Sequence, residues 1–326
     1  MILDTLKKHQ IVSSDHATAT PLTGGVSCEI YLIEDGERRF VAKRALEKLR
    51  VKQDWFADTS RNLYEQRYLK YVGQRFPHYV PKVLHALEQE RLFVMEYFPT
   101  QFKDWKKYLM KRELDTQVAH QLATALADIH LVSWRDTEAI DLFDSDENFH
   151  QLRLSPYFES LKARYPALSS LLTETCKEVA ETKYCLVHGD FSPKNILVAG
   201  QKIKVVDCEV AWYGDPAFDV AFMLHHLLLK SHHFNDPNYL VLASDFTNTY
   251  RDVLGEEKFT LVNEQRVAKL TLLMALARVD GKSPVEYLDQ HQQQAVRQWC
   301  CSAIENQQFN LETIFNGVKS HENCLN

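Results

Sequence analysis

The sequence predicts an α+β fold in which a small antiparallel sheet lobe precedes a larger, mainly helical lobe. In the first hundred residues, short segments alternate apolar and polar side chains, as strands do. From Phe102 onward, apolar residues recur at helical spacing, except between Leu186 and Val206. The strands therefore cluster at one end of the chain instead of alternating with helices, which argues against a βαβ repeat.

The sheet lobe is expected to hold two pairs of strands and one helix. The dipeptide Asp35-Gly36 suits the positive φ angles of a tight hairpin turn. Thr59 and Ser60 can cap a helix that runs to Val72. The expected strands are residues 29–34, 39–43, 83–87 and 91–95. The lobes are predicted to meet near residue 98, which divides the chain into residues 1–98 and 99–326.

The helical lobe is predicted from apolar stripes, one of which consists of Val118, Leu122, Leu126 and Ile129. Two short apolar runs on either side of residues 199–202 indicate a β-hairpin inside this lobe. The other expected helices are residues 157–182, 217–230, 239–253, 266–279 and 284–306.

Composition and charge argue against several classes of protein. The 326 residues are 45% hydrophobic and 25% charged, values that exclude a wholly disordered, collagenous or coiled-coil chain. The net charge of −6 argues against a general nucleic-acid binder, which needs a cationic surface. There is neither an apolar run long enough to span a membrane nor a signal-peptide pattern at the start. Seven scattered cysteines without a Cys-x-x-Cys pair indicate reduced thiols, so we expect a soluble cytoplasmic protein.

One part of the helical lobe carries residues suited to phosphoryl transfer. Asp190, Asn195 and Asp207 occupy a loop, a hairpin and a second loop, so the open end of the hairpin brings them together. In phosphoryl transfer, one carboxylate orients the attacking hydroxyl and accepts its proton, while an amide and a second carboxylate hold Mg²⁺. Because Mg²⁺ keeps waters and phosphate oxygens as ligands, so small a set of protein groups suffices.

The sequence resembles the aminoglycoside phosphotransferase and choline kinase superfamily, which has a two-lobed protein-kinase-like fold. The resemblance implies that Asp190 is the catalytic base and that Asn195 and Asp207 bind Mg²⁺. It also implies that Glu209 is a candidate further metal ligand and that Asp219 braces the catalytic loop. Three motifs in order carry this resemblance: His188-Gly-Asp190 with Asn195, Asp207-Cys-Glu209, and Gly214-Asp-Pro-Ala-Phe-Asp219.

The same resemblance assigns nucleotide-binding residues to the N-terminal lobe. Lys43, at the end of a predicted strand, is expected to hold the α- and β-phosphates of ATP. Glu65 is the natural partner of this lysine because it is the only acidic residue in the following helix. A loop before the first hairpin strand would cover the phosphates, and backbone groups at the lobe boundary would meet adenine. The remaining candidate contacts are Gly24, Gly25, Ser27, Glu96 and Tyr97.

A narrower resemblance links the chain to 5-methylthioribose kinases. Residues 43–46, followed by Leu49-Arg-Val51 and Trp55, resemble the segment after the strand lysine of those enzymes. Residues 276–281 are similar to their substrate segment, with one arginine where that segment has two. Their catalytic loop also lacks an asparagine at the position of Asn195, so the resemblance implies a neighbouring subgroup.

Together these features imply an enzyme that uses ATP and Mg²⁺ to phosphorylate a hydroxyl of a small molecule such as a sugar, an aminoglycoside or an amino alcohol. Gly214 follows Asp207 so closely that no activation loop of a protein kinase fits between them. A nucleotide-binding pseudokinase or interaction module and an atypical protein kinase are the alternatives. The intact set of Lys43, Asp190, Asn195 and Asp207 argues against the pseudokinase.

Other residues near these motifs allow two interpretations each. Lys194 and Ser192 flank the catalytic loop and are candidates for contact with phosphate or acceptor, or they are surface residues. The six acidic residues between Asp136 and Glu147 are interpreted as a solvated loop, with attraction of a cationic acceptor as the alternative. His225 and His226 are interpreted as core residues because no carboxylate or cysteine completes a metal site with them.

Overall fold

The computed structural model describes residues 2–22, 28–46 and 58–323, and it confirms the predicted two-lobed α+β fold. The N-terminal lobe contains helices α1 (Ile2–Lys8) and α2 (Arg61–Arg75) and five strands: β1 (Thr18–Pro21), β2 (Cys28–Asp35), β3 (Arg38–Ala45), β4 (Val83–Leu87) and β5 (Leu92–Glu96). The strands form one antiparallel sheet in the order β1-β2-β3-β5-β4. Helix α2 packs against β3, β4 and β5.

The hairpin between β2 and β3 turns one residue later than the sequence predicts. Asp35 pairs with Arg38, so the turn consists of Gly36 and Glu37, and Gly36 has the positive φ of 65° that a two-residue hairpin requires. Asp35 instead uses its carboxylate, which accepts a hydrogen bond from the Ser14 N–H at 2.9 Å. This contact keeps Asp35 in the strand.

Strand β3 is the central strand of the sheet, and it carries Lys43. This lysine lies opposite Ile30 of β2 and Phe93 of β5. Ser60 directly precedes α2, but its side chain makes no capping hydrogen bond, and its own N–H donates to Asp58 Oδ1 at 2.8 Å. The predicted helix is therefore present without the predicted cap.

The C-terminal lobe is built mainly of helices around one apolar core. Its helices are α3 (Trp105–Leu109), α4 (Thr116–Val132), α5 (Thr137–Leu142), α6 (Asp146–Phe149), α7 (Ser155–Tyr157), α8 (Ser169–Glu181), α9 (Pro216–Phe234), α10 (Asn238–Leu254), α11 (Glu256–Val262), α12 (Glu264–Asp280), α13 (Gln290–Glu305) and α14 (Leu311–Asn323). Helix α9 is buried along most of its length and packs against α10, α12 and α13. In the described ranges, no helix has both the length and the apolar character that a membrane crossing requires.

Five short strands in this lobe flank the segment that holds Asp190, Asn195 and Asp207: β6 (Lys103–Asp104), β7 (Cys185–Val187), β8 (Ile196–Ala199), β9 (Lys202–Val205) and β10 (Trp212–Gly214). Strands β6, β8 and β9 form one sheet, and β7 pairs with β10. The β8–β9 hairpin is the one predicted from the sequence. Ile196 pairs with Val205, and the Val206 N–H donates to the Asn195 carbonyl at 2.9 Å. The residues before β8 and after β9 therefore lie side by side.

Two predicted helices are shorter in the structure. The helix expected over residues 157–182 begins only at Ser169, because Pro166, which lacks an N–H, opens a separate 3₁₀ turn. The helix expected over residues 284–306 begins at Gln290. Its start is fixed by a capping box in which Asp289 Oδ1 accepts from the Gln292 N–H at 2.8 Å and Gln292 Oε1 accepts from the Asp289 N–H at 3.1 Å.

Candidate active site

Lys43 joins the two lobes at the centre of the candidate site. Its Nζ lies 2.8 Å from Oε1 of Glu65 on α2 and 2.5 Å from Oδ1 of Asp207, which follows β9. Lys43 and Glu65 are 2% and 1% exposed. Burial opposes the charge of Lys43, but the carboxylates of Asp207 and Glu65 outweigh it and raise the pKa of this lysine well above its usual value. The structure therefore contains the Lys43–Glu65 pair that the sequence predicts.

Asp207 has an unusual backbone conformation and a strongly stabilised charge. Its φ is +63°, in the left-handed region that side chains other than glycine seldom adopt, and such strain often marks functional sites. Burial acts to raise the pKa of Asp207, but the ammonium groups of Lys43 and Lys194 outweigh it and hold this pKa well below its ordinary value. Asp207 is therefore an anion throughout the neutral pH range.

The catalytic loop is held by contacts between side chains and the backbone. Asp219 of α9 accepts hydrogen bonds from the N–H groups of His188 at 2.7 Å and Gly189 at 2.9 Å. His188 Nε2 lies 3.2 Å from the Val206 carbonyl, and the Asp190 N–H donates to His188 Nδ1 at 3.1 Å. Burial lowers the pKa of His188, so its ring is neutral and joins the loop to the β8–β9 hairpin.

Gly189 is required where the loop passes close to the backbone after Asp207. Its φ is +76°, and a Cβ at this position would lie only 2.5 Å from the Val210 carbonyl oxygen. A side chain at position 189 would therefore push the loop away from Val210 and shift the neighbouring Asp190.

Asp190 is buried and lies between two cations. Its Oδ2 is 3.0 Å from a terminal nitrogen of Arg153 and 3.1 Å from Lys194 Nζ, and Ser192 Oγ donates to its Oδ1 at 3.3 Å. Burial acts to raise the pKa of Asp190, but Lys194 and Arg153 outweigh it and lower this pKa below the ordinary value. An ionised carboxylate in this position can accept a hydrogen bond from a hydroxyl group.

Asn195 and Asp207 offer oxygen ligands of the kind that Mg²⁺ prefers. Asn195 Nδ2 donates to the main-chain carbonyl of Asp190 at 3.0 Å, which directs the amide oxygen away from that carbonyl. The Asp207 side chain is 31% exposed. Within residues 2–22, 28–46 and 58–323, no group of three or more His, Cys, Asp or Glu could hold a metal ion. A cation held here would therefore take further oxygens from its ligand and from water, as Mg²⁺ does.

Glu209, the third candidate metal ligand, forms a separate buried pair. Its Oε2 lies 3.1 Å from Nε of Arg61 and 3.4 Å from the Sγ of Cys28. The Asn148 side chain also donates to the main-chain carbonyl of Glu209 at 3.0 Å. Because Arg61 engages one carboxylate oxygen, Glu209 could reach a metal only with the other oxygen.

The candidate adenine contacts lie apart from these groups. Glu96 and Tyr97 line a cavity of about 740 Å³ together with residues of α4 and the turn of the β8–β9 hairpin, and neither Lys43 nor Asp190 lines it. The Glu96 N–H donates to the Lys82 carbonyl at 2.9 Å, so a contact of Glu96 with a base is left to its carbonyl oxygen. Gly24, Gly25 and Ser27, and with them Leu49-Arg-Val51 and Trp55, lie outside the described residues.

Sequence reasoning missed two cations of the site, Arg153 and Arg61. Arg153 is one cation between two buried leucines, Leu152 and Leu154, and that placement is a signal of an internal ion pair. Arg61 is a cation at the first position of α2, where the helix dipole disfavours positive charge, and it is fully buried. The sequence shows only an arginine between two leucines and an arginine at the start of the predicted helix, and neither pattern identifies the partner.

Comparisons with known proteins identify the family of the chain and its fold. A model of the phosphotransferase enzyme family matches residues 18–240. A methylthioribose kinase from Yersinia enterocolitica is 28% identical over 243 residues, which are 65% of this chain and 60% of that relative. The chain thus spans about 60% of the length of this curated relative.

Solved structures share the fold. An ADP-bound aminoglycoside phosphotransferase superposes with a TM-score of 0.52 and 17% identity, over 96% of this chain and 98% of that one. Amicoumacin kinase in complex with AMP-PNP and Ca²⁺ gives a TM-score of 0.59 and 15% identity, over 93% of each chain. These likenesses confirm the predicted kinase-like fold. Because the family model covers well over half of the chain, including the loop that holds Asp190, the β8–β9 hairpin and all of α9, the chain belongs to the phosphotransferase enzyme family.

Proposed function

We propose that this protein transfers the γ-phosphoryl group of ATP to a hydroxyl group of a small molecule and that it requires Mg²⁺. One observation carries the proposal: Lys43 Nζ lies within 2.8 Å of Glu65 and within 2.5 Å of Asp207. A buried ammonium held by a helix glutamate and placed beside a candidate metal ligand is the arrangement that phosphoryl transfer requires.

In this proposal, each group of the site has one role. Lys43 binds phosphate oxygens, and Glu65 holds the lysine in place. Asn195 and Asp207 would hold Mg²⁺, which neutralises charge on the β- and γ-phosphates when bound. The division into a nucleotide lobe, residues 1–98, and a helical acceptor lobe, residues 99–326, belongs to the same proposal.

Asp190 is proposed to orient the acceptor hydroxyl and to accept its proton. Arg153 and Lys194 keep the carboxylate ionised at neutral pH. Asn195 supports the same loop through its hydrogen bond to the Asp190 carbonyl. The Lys194 side chain is half exposed, and we propose that its ammonium contacts the transferred phosphoryl group as well as Asp190.

A small molecule is proposed as acceptor in preference to a protein. Helix α9 begins at Pro216, soon after Asp207, and the intervening residues are almost entirely buried. The described segment between Asp207 and Pro216 therefore offers no exposed loop on which a peptide could dock. Methylthioribose, the compound in the name of the curated relatives, is one candidate acceptor.

The experiment that tests the proposal is turnover with a panel of hydroxylated metabolites. The purified protein is mixed with ATP, Mg²⁺ and sugars, sugar acids, amino alcohols or methylthioribose, and phosphomonoester products are identified by mass spectrometry. Formation of a phosphorylated product that is lost on chelation of Mg²⁺ supports the proposal. Binding of ATP without transfer to any acceptor would support the pseudokinase alternative instead.

A further inference from the structure

Lys230 of α9 is a buried cation without an acidic partner. It is 1% exposed, and its Nζ donates only to the His226 carbonyl one turn earlier, at 3.2 Å, and lies 5.3 Å from the centre of the Tyr287 ring. In the part of the chain that the structure describes, no carboxylate forms an ion pair with Lys230. Buried lysines are almost always paired, so the position of Lys230 calls for an explanation.

The other charges around Lys230 are mostly positive. Burial lowers the pKa of Lys230 to about 7, and the nearby cations Lys106 and Arg278 act in the same direction. Glu286 is the acid that opposes them, and its carboxylate is already engaged in an ion pair with Lys106. The side chains of Lys106, Arg278 and Glu286 around Lys230 therefore carry a net positive charge. A bound anion would stabilise the charged form of Lys230.

Three buried polar atoms of residues near Lys230 also have no hydrogen-bond partner among the described residues. They are Nε2 of His225, Nε of Arg278 and the hydroxyl of Tyr287. More than about nine tenths of buried polar atoms in folded proteins are hydrogen-bonded, so three such atoms beside one unpaired lysine form an unusual group. Arg278 Nε and the Tyr287 hydroxyl can each donate a hydrogen bond, so with Lys230 they suit an acceptor-rich anionic ligand. His225 donates from Nδ1 to the Ala221 carbonyl at 3.2 Å, so its Nε2 is an acceptor and takes no part in binding an anion.

The cluster is connected to Asp190 along one face of α9. Phe222, His226 and Lys230 follow one another at intervals of four residues, which places them on the same side of the helix. At the Phe222 end, the guanidinium of Arg153 lies 5.5 Å from the ring centre and also contacts Asp190. Eight residues of helix separate Phe222 from Lys230, a rise of about 12 Å, which is the length of a small metabolite.

Three of the six acidic residues between Asp136 and Glu147 are engaged in contacts within the protein. Asp136 accepts a hydrogen bond from the Tyr71 hydroxyl at 2.7 Å and caps α5. Glu138 pairs with an arginine of α2, and Asp146 pairs with Lys183. These three carboxylates hold structural elements together, so a structural role accounts for them without a cationic acceptor.

We propose that the Lys230 cluster, defined as Lys230, Arg278 and Tyr287, binds a carboxylate or phosphate group of an acceptor whose hydroxyl lies at Asp190. This proposal rests on the proposed function and narrows its substrate to an anionic hydroxyl compound. Carboxylate and phosphate share the required chemistry, several oxygens that accept hydrogen bonds and at least one negative charge.

Matched acceptor pairs test the proposal. The pairs are glucose and gluconate, and ribose and ribose 5-phosphate, with methylthioribose as a further uncharged compound. We expect kcat/KM to be at least about tenfold higher for the anionic member of a pair, since hydrogen bonds to charged groups are strong. The carboxylate and phosphate pairs show which anion is preferred. Equal or better turnover of the uncharged members overturns the proposal.

Variants locate the effect in the Lys230 cluster. Lys230→Met should raise the KM of the preferred anionic acceptor about tenfold and leave the KM of ATP unchanged. The matched control is Lys177→Met, which removes a 72% exposed lysine of α8 and should change neither constant. Tyr287→Phe removes only a hydroxyl group and should raise the same acceptor KM, so it serves if Lys230→Met does not fold. An unchanged acceptor KM in both variants contradicts the proposal.

A binding experiment separates failure of this inference from failure of the proposed function. Protein saturated with AMP-PNP is melted with gluconate or ribose 5-phosphate, so that the filled nucleotide site does not contribute. A rise in Tm for the wild type and not for Lys230→Met supports the anion site even if no acceptor is phosphorylated. No rise with either anion contradicts it even if an uncharged acceptor is turned over.

Discussion

Nζ of Lys43 lies 2.5 Å from Oδ1 of Asp207, although the two residues are 164 positions apart and belong to different lobes. The sheet lobe contributes the cation and the helical lobe contributes the anion. Because Glu65 contacts the same ammonium, the two lobes are joined by one three-residue network at the proposed site of phosphoryl transfer. Loss of the shared ammonium should therefore affect both the site and the stability of the protein.

Replacement of Lys43 by methionine should weaken nucleotide binding and destabilise the fold. The change leaves Glu65 and Asp207 as facing carboxylates without their shared cation. We expect the Kd for ATP to rise at least about tenfold, because hydrogen bonds to charged groups are lost. The free energy of unfolding should fall by about 3 kcal/mol, as when one partner of a buried pair is removed. Lys70→Met, on the exposed face of α2, is the control, and unchanged ATP affinity in Lys43→Met would contradict the assignment.

The pair of Arg61 and Glu209 should contribute to stability as a unit. Arg61→Met leaves the buried carboxylate of Glu209 without its guanidinium, and we expect a loss of about 3 kcal/mol in the free energy of unfolding. Urea denaturation of Arg61→Met, Glu209→Gln and the double variant measures the coupling. The double variant should lose clearly less than the sum of the single variants. Additive losses would show that the pair is not coupled.

Asp219 should affect turnover through the position of the catalytic loop. It accepts from the N–H groups of His188 and Gly189, and Asp219→Asn replaces one accepting oxygen by a donor. We expect a lower kcat with a nearly unchanged KM for ATP, and a stability loss of about 2 kcal/mol for the unpaired buried N–H. The same fractional loss of kcat and of ATP affinity would argue against this positioning role.

The stability of the protein should fall in acid in part because of Asp207. Its pKa is lowered in the folded state, so it binds a proton less readily there than in the unfolded chain, whose pKa is about 3.9. Its contribution to stability is therefore present above about pH 4 and is lost as the pH falls through the folded-state pKa. Urea unfolding between pH 5 and pH 2 should show a shallower decline for Asp207→Asn than for the wild type. An equally steep decline in both would contradict the lowered pKa.

The parts of the fold and site that are local in sequence were predictable. The β8–β9 hairpin, the loop that holds Asp190 and the Lys43 strand each follow from a short apolar pattern with a turn between its halves. The Lys43–Glu65 pair was predictable because α2 contains a single acidic residue.

The parts that depend on distant residues were not predictable. Arg153 reaches Asp190 from a π-helical turn 37 positions earlier, inside a segment that the periodicity described only as helix. Pro166 interrupts the helix predicted over residues 157–182, although the apolar residues around it recur at helical spacing. The unpaired environment of Lys230 arises from the packing of α9 against residues after α12, which no local pattern encodes.

The central claim is that Asp190 acts on the acceptor hydroxyl while other residues bind the nucleotide. The most direct measurement compares wild type and Asp190→Asn for AMP-PNP affinity by calorimetry and for phosphomonoester formation with ATP and Mg²⁺. The asparagine has nearly the same shape but cannot accept the proton. We predict that product formation falls on the order of a thousandfold while the nucleotide Kd stays unchanged. Full activity of Asp190→Asn, or parallel losses of binding and turnover, would contradict the claim.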